Sequence, residues 1–516
     1  MSTEVGALLG ILDISQSCPI MLRRRSGILL HPTSLPGRCG IGDLGTWSYR
    51  FADFLADSGQ RLWQILPLGP PGFGNSPYQC LSSMAGNPLL ISLETLVVEG
   101  WVPPSALENM PAFPQDRVDF DAVLPFKWRI LRRAARRFFK GASDAQRLEF
   151  DTFCGENGHW LDRYSEFAAL KEANRGAVWS EWTKISRPDE QEVQAQKFVQ
   201  FEFFRQWRKL KDHCHSRDIA IVGDVPIFVA HDSADVWANP GLFDLDEAGV
   251  PRTIAGVPPD YFSATGQCWG NPLYRWEEHE RTGYRWWIDR VRATLALVDI
   301  ARIDHFRGFE KYYEIPGGAK TAVNGHWVNG PGDRFFAALE QALGKLPIIA
   351  EDLGYITPEV HALRDRWGFP GMRVLQFAFG NPSPTDPFKP YNFIPNCVVY
   401  TGTHDNDTTR GWFASAGTGE STSPAEQARR ERELALRYMD GTAEEVHWAF
   451  IRTALSSVAE TAVFPMQDAL GLGSEARMNF PGRLEKNWTW RLLPDQLKPE
   501  LAERLLSLSR TYGRVE

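Results

Sequence analysis

Along this chain, short apolar runs rich in β-branched residues alternate with stretches in which apolar side chains recur every three or four positions. The first pattern predicts buried strands and the second amphipathic helices. Residues 27–30 predict a first strand, and residues 46–55 set aromatic rings and Leu55 at helical spacing behind Thr46, an expected N-cap. Second and third strands are predicted at 61–66 and 219–226, the latter fed by a long helical stretch over 190–216. The apolar run 295–298 leads into 301–304 as the fourth strand; residues 346–350, 372–377, 397–400 and 461–466 follow as the fifth to eighth. Helical patterns at 333–343, 358–367, 425–436 and 445–459 separate the later strands, and 494–508 predicts a last helix. Eight strands alternating with helices predict an α/β fold, a (β/α)8 TIM barrel.

Two long stretches break the alternation. Within residues 70–195, a Pro/Gly-dense loop running through Ser76-Pro77-Tyr78 gives way to helical patterns punctuated by Pro103-Pro104 and Pro111 to Pro114, an expected helical insertion. Residues 229–275 carry no period, yet their aromatics and the pair Pro258-Pro259 argue against disorder. They read as an ordered lid with Asp260, Gln267 and Trp269 facing a ligand. Residues 1–22 are expected to be an N-terminal extension and 23–510 one barrel domain with these insertions over its C-terminal face. Little chain remains for a further C-terminal β-sandwich.

Composition changes this picture only by exclusion. A net charge of −8 disfavours a nucleic-acid surface, and the basic residues of 129–140 are spaced among apolar ones as the solvated face of a helix. No run approaches the ~18 apolar residues of a membrane span. The seven cysteines are odd in number, scattered and without a C-x-x-C pair, so reduced thiols and a cytoplasmic setting are expected. His213-Cys214-His215 are neighbours on a predicted helix and point in different directions, which argues against a shared metal. No phosphate-binding glycine loop stands between a strand and a helix, and no cofactor is expected.

The chemistry lies at strand ends. Asp304 closes the fourth strand, two residues after Arg302; Glu351 and Asp352 follow the fifth, ahead of Gly354; His404 and Asp405 follow the seventh. Barrel enzymes keep catalytic groups at the C-terminal ends of strands. One such acid reads equally well as an ion-pair partner or a helix cap, whereas acids at three strand ends point to a site.

These blocks, with Gly27 to Pro36, Ser76-Pro77-Tyr78, Gly223-Asp224-Val225-Pro226, Gly256 to Tyr261 and Arg477-Met478-Asn479-Phe480-Pro481-Gly482, resemble the 4-α-glucanotransferases of glycoside hydrolase family 77, in the α-amylase clan. The resemblance runs from about Ser26 to Trp490. It implies Asp304 as nucleophile, Glu351 as general acid/base and Asp405 as the carboxylate that stabilises the transition state. It further implies that Ser76, Tyr78, Asp224, Arg302, His404 and Asn479 contact the sugar, and that the partners are α-1,4-glucans and maltooligosaccharides. Retaining transfer needs one ionised and one protonated carboxyl, and Arg302 beside Asp304 favours the ionised form there. Two other outcomes use the same barrel: an α-glucan hydrolase with water as acceptor, and a non-catalytic glycan-binding protein.

Overall fold

The computed structural model describes residues 24–182, 187–259, 265–415, 425–483 and 485–516. In chain order its strands are β1 (Arg25–Leu29), β2 (Leu62–Ile65), β3 (Ala220–Pro226), β4 (Thr253–Val257), β5 (Gln267–Pro272), β6 (Ile300–Asp304), β7 (Lys311–Pro316), β8 (His326–Asn329), β9 (Ile348–Ala350), β10 (Gly371–Val374), β11 (Cys397–Tyr400) and β12 (Thr461–Pro465). Eight of them close a parallel barrel in the order β1-β12-β11-β10-β9-β6-β3-β2. Side chains alternate across each strand: Leu29, Leu62, Val222, Ile300, Met372, Val374, Val398, Tyr400 and Val463 fill the interior, while Ile28, Trp63, Ile221, Ile303, Val399 and Phe464 pack against the helices outside. The predicted strands and helices fall close to these bounds, and the helices Glu190–Ser216 and Asp333–Leu343 match their predicted ranges.

Four local readings differ. The apolar run 295–298 is the last turn of the helix Arg285–Leu297, and β6 begins at Ile300; an apolar run at a helix end and at a strand start look alike to periodicity. Thr46 is the first helical residue, with Gly45 at the cap position and its N–H held by the Asp43 carboxylate at 2.9 Å. The sixth strand stops at Val374 and turns into a 3-10 segment over Leu375–Phe377. The last helix spans Pro499–Thr511, preceded by a separate turn at Pro494–Gln496.

The lid is more regular than expected. β4 and β5 pair antiparallel and join β7 and β8 in a four-stranded sheet, order β5-β4-β7-β8. Its partner strands lie far apart in sequence, Thr253 opposite Pro316, so no local period announces it. The insertion after β2 is helical, built on Phe120–Gly141 and Asp144–Ala173 against Glu190–Ser216. Buried polar side chains of these helices grip the segment that follows the Pro/Gly-rich loop. Gln200 bonds both backbone groups of Gly86 (2.7 and 3.0 Å), and Lys127 Nζ donates to the carbonyls of Leu89 (2.7 Å) and Ile91 (2.8 Å). Each bond satisfies a group that would otherwise be costly to bury, so the loop carrying Ser76 and Tyr78 has a rigid base. Among the described residues no helix is long and apolar enough to cross a membrane. His213 and His215 turn to different carboxylates, Asp53 at 2.9 Å and Asp299 at 3.0 Å.

Candidate active site

β6 directs Ile300, Arg302 and Asp304 inward as three layers, with Asp304 uppermost. Its register sets Asp224 of β3 opposite Arg302, and Ile303 opposite Ala350 of β9, so Asp304 and Glu351 stand at adjacent strand ends. The Glu351 N–H donates to the Ile303 carbonyl at 3.0 Å and continues the ladder. Neighbouring strands run about 4.8 Å apart, which brings the two carboxyls into one small site.

Arg302 forms the floor. Its Nη1 donates to Asp224 Oδ2 at 2.6 Å and to Asp304 Oδ1 at 3.2 Å, and its Nε reaches the Met372 sulfur at 3.2 Å. The Tyr78 hydroxyl donates to the same Asp224 oxygen at 2.5 Å. Arg302 and Asp224 are almost without exposed side-chain surface, 4% and 0%, whereas 32% of the Asp304 side chain is open. Asp224 and Arg302 therefore lie a layer below the open carboxylate of Asp304, where they orient Tyr78 and Asp304.

Glu351 is held by two backbone donors, His305 N–H on Oε2 and Leu353 N–H on Oε1, both at 2.7 Å. Two turns make this reach feasible: His305 adopts the left-handed conformation (φ 55°), and Gly354 has φ 89°, where a side chain would be strained. Burial, and next the negative charge of Asp304, push the Glu351 carboxyl up to about 8, against the pull of Arg302 and the two N–H groups. Burial also raises Asp304 above the usual carboxylate range, and Arg302 is the main force opposing it. The pair thus favours one proton, kept on Glu351, because Asp304 alone has the guanidinium at hydrogen-bond distance.

The third acid sits in a separate cradle. Asp405 Oδ1 accepts from Asn479 Nδ2 at 2.6 Å, its carbonyl accepts from Arg477 Nη2 at 2.6 Å, and the Asn479 N–H donates to the His404 carbonyl at 3.1 Å. Asp405 keeps 48% of its side chain exposed. His404 is buried between Asp405 and Tyr78, its Nε2 3.4 Å from Asp405 Oδ1, its ring stacked on Tyr78 at 5.0 Å and 19°. The lid approaches from the other side. Trp269 meets the His305 ring edge-on at 4.8 Å and donates its indole N–H to Gln267 at 3.1 Å; Gln79 bonds Asn271 across to the Ser76 loop at 3.1 Å. Ser76 Oγ accepts from the Tyr78 N–H at 3.2 Å.

One network of contacts therefore joins Tyr78, Asp224, Arg302, Asp304, His404, Asp405 and Asn479. Glu351 adjoins Asp304, Ser76 bonds the Tyr78 backbone, and Trp269 and Gln267 approach through His305. Asp260 lies outside the described residues. Three participants were given no role by the sequence: His305, whose N–H serves Glu351; Arg477, quoted only within its motif, which fixes the Asp405 backbone; and Trp488, whose ring lies 5.9 Å from Tyr78 and 6.0 Å from His404.

The sequence model of one family, described as 4-alpha-glucanotransferase, matches residues 30–496. The chain belongs to the 4-α-glucanotransferase family. The 4-alpha-glucanotransferase of Synechocystis sp. is 52% identical over 508 residues, covering 95% of this chain and 98% of that protein. That of Thermus thermophilus is 49% identical, covering 96% and 100%. The amylomaltase from Streptococcus agalactiae, solved in complex with acarbose, superposes with a TM-score of 0.90 at 36% identity, covering 96% of this chain and 100% of that one. The enzyme is accordingly a hexosyltransferase, a 4-α-glucanotransferase.

In this glucanotransferase, Tyr78→Ala and Trp269→Ala are each expected to weaken glucan affinity by about 1–3 kcal/mol, the scale of a large apolar contact, with smaller effects on folding. Calorimetric titration with a maltooligosaccharide, beside thermal melts, checks this. A collapsed melting temperature with affinity preserved would make the rings structural.

Proposed function

We propose that the enzyme transfers segments of α-1,4-glucans and maltooligosaccharides by a retaining double displacement. The Asp304 carboxylate attacks the anomeric carbon, the glycosidic C–O bond breaks, and Glu351 gives its proton to the departing oxygen. The 4-hydroxyl of an acceptor glucan then attacks the same carbon, yields its proton to the Glu351 carboxylate and releases Asp304. Asp405, open to the site and braced by Asn479 and Arg477, accepts from ring hydroxyls most strongly as positive charge develops on the sugar. His404 adds a further contact to those hydroxyls. The observation that carries this reading is the in-register placement of Asp304 and Glu351 on neighbouring strands, one beside a guanidinium and the other buried.

Water at about 55 M competes with every acceptor, so transfer requires a sugar hydroxyl held at high effective molarity; well-oriented groups reach about 10⁵–10⁸ M. The four-stranded lid sheet, with Trp269 over His305, supports such a shaped acceptor side. Pure maltotriose is expected to give glucose together with longer maltooligosaccharides at nearly constant total reducing ends. A steady rise in reducing ends without longer products would favour hydrolysis instead. All six described cysteines are free thiols, which supports a reducing, cytoplasmic setting.

The pH dependence follows from the two carboxyls. Glu351 must be neutral, so transfer between ordinary glucans is expected to fall as pH rises through about 8. Asp304 must be ionised, and its raised affinity for a proton sets the acid limb above the ordinary aspartate range near 3.9. A pH profile of kcat/KM checks both limbs. A rate still rising at pH 9 would remove Glu351 from the acid role.

A further inference from the structure

Four residues past Glu351, the Tyr355 ring stands 69% exposed. Lone exposed apolar side chains are common and need no explanation. This one is braced. The Trp327 ring on β8 lies 6.3 Å from it at 26°, nearly parallel. The guanidinium of Arg307, itself only 3% exposed, sits 3.8 Å from the Trp327 centroid and 5.6 Å from that of Tyr355. Arg307 also donates to the Tyr355 carbonyl and to that of Lys311 (3.4 Å). Behind Trp327, Tyr313 packs edge-on at 5.1 Å. Three elements thus converge under one exposed ring: the turn after β6, which follows Asp304; the loop after β9, which follows Glu351; and the lid sheet.

A flat ring fixed before anything binds has little side-chain freedom left to lose, and its open face suits the apolar face of a sugar. Four residues reach at most about 14 Å, and the Gly354 turn shortens the span, so Tyr355 stands within the first few sugars of the reacting bond. Which sugars follows from Glu351. The acid lies on the face from which the leaving chain departs and the acceptor arrives, opposite the nucleophile.

We propose that Tyr355, held by Trp327 and Arg307, is a stacking platform for acceptor sugars beyond the first and sets the preference for longer acceptors. The inference rests on the acid role given to Glu351. It predicts that a one-sugar acceptor never reaches the ring, whereas a three-sugar acceptor does.

The test uses the full chain with maltotriosyl fluoride as donor and radiolabelled glucose or maltotriose as acceptor, following the label into longer products. In Tyr355→Ala the ratio of the acceptor KM for maltotriose to that for glucose is expected to rise about tenfold. Tyr355→Leu, which keeps apolar bulk without a flat face, should raise it equally, and Tyr355→Phe should restore the parent ratio. A ratio within twofold of the parent in both the Ala and Leu variants overturns the proposal, as does a Phe variant as impaired as Ala, which would assign the effect to the hydroxyl. Failure of the underlying reading shows separately: Glu351→Gln would transfer from maltotriose at the parent rate, and the acceptor-side placement would fall with it.

Discussion

Asp304→Asn is expected to lower transfer by a factor on the order of 10⁴–10⁶, the scale of losing a nucleophile that acts as one unit with its acid partner. The amide fills the same space at the end of β6 but cannot form the glycosyl ester. The fold should survive, because the buried Arg302 guanidinium keeps its shorter bond, 2.6 Å to Asp224, and is not left as an unpaired charge. Melting within a few degrees of the parent, with product formation near background, is the expected pair of results. Activity within tenfold of the parent would take the nucleophile role from Asp304.

Glu351→Gln separates the two halves of the chemistry. With ordinary glucans the departing sugar oxygen needs a proton, and a loss of about 10²–10⁴-fold is expected. Fluoride leaves without one, so the variant should still form the glycosyl enzyme from maltotriosyl fluoride. The substitution also replaces a carboxyl that burial and Asp304 hold far from its ordinary protonation range with a neutral amide whose single oxygen can accept from only one of the two N–H groups, His305 or Leu353. Equal losses on fluoride and glucan donors would count against Glu351 as the acid.

The contrast between what the sequence made legible and what it did not has a physical origin. β11, a run of Cys397 to Tyr400 buried on both faces, announces itself as a strand because its neighbours are covered by helices outside and side chains inside. Asp304, Glu351 and Asp405 are visible because each stands where such a run ends. The lid sheet is not visible, since β4 draws its partner β7 from another part of the chain and its own residues end at Pro258-Pro259. His305 is hidden for a different reason: its contribution is a backbone N–H, which every residue but proline carries, and only the left-handed turn aims it at Glu351. The Asn479 contact to Asp405 spans 74 positions, so a motif could mark both residues but not their bond. Asp224 and Arg302, expected at the site, stand one layer below Asp304, because alternation along β3 and β6 puts inward side chains two residues apart.

The central claim is a covalent bond between glucan and Asp304. The most direct measurement is to react Glu351→Gln with maltotriosyl fluoride, stop the reaction in acid, digest the chain and weigh its peptides. The account predicts a mass increase of one maltotriosyl group on the peptide containing Asp304, persisting when glucose is added because the variant lacks the base that takes the acceptor's proton, and absent in the Asp304→Asn, Glu351→Gln double variant. A maltotriosyl group on the Asp405 peptide, or persisting in the double variant, would contradict it.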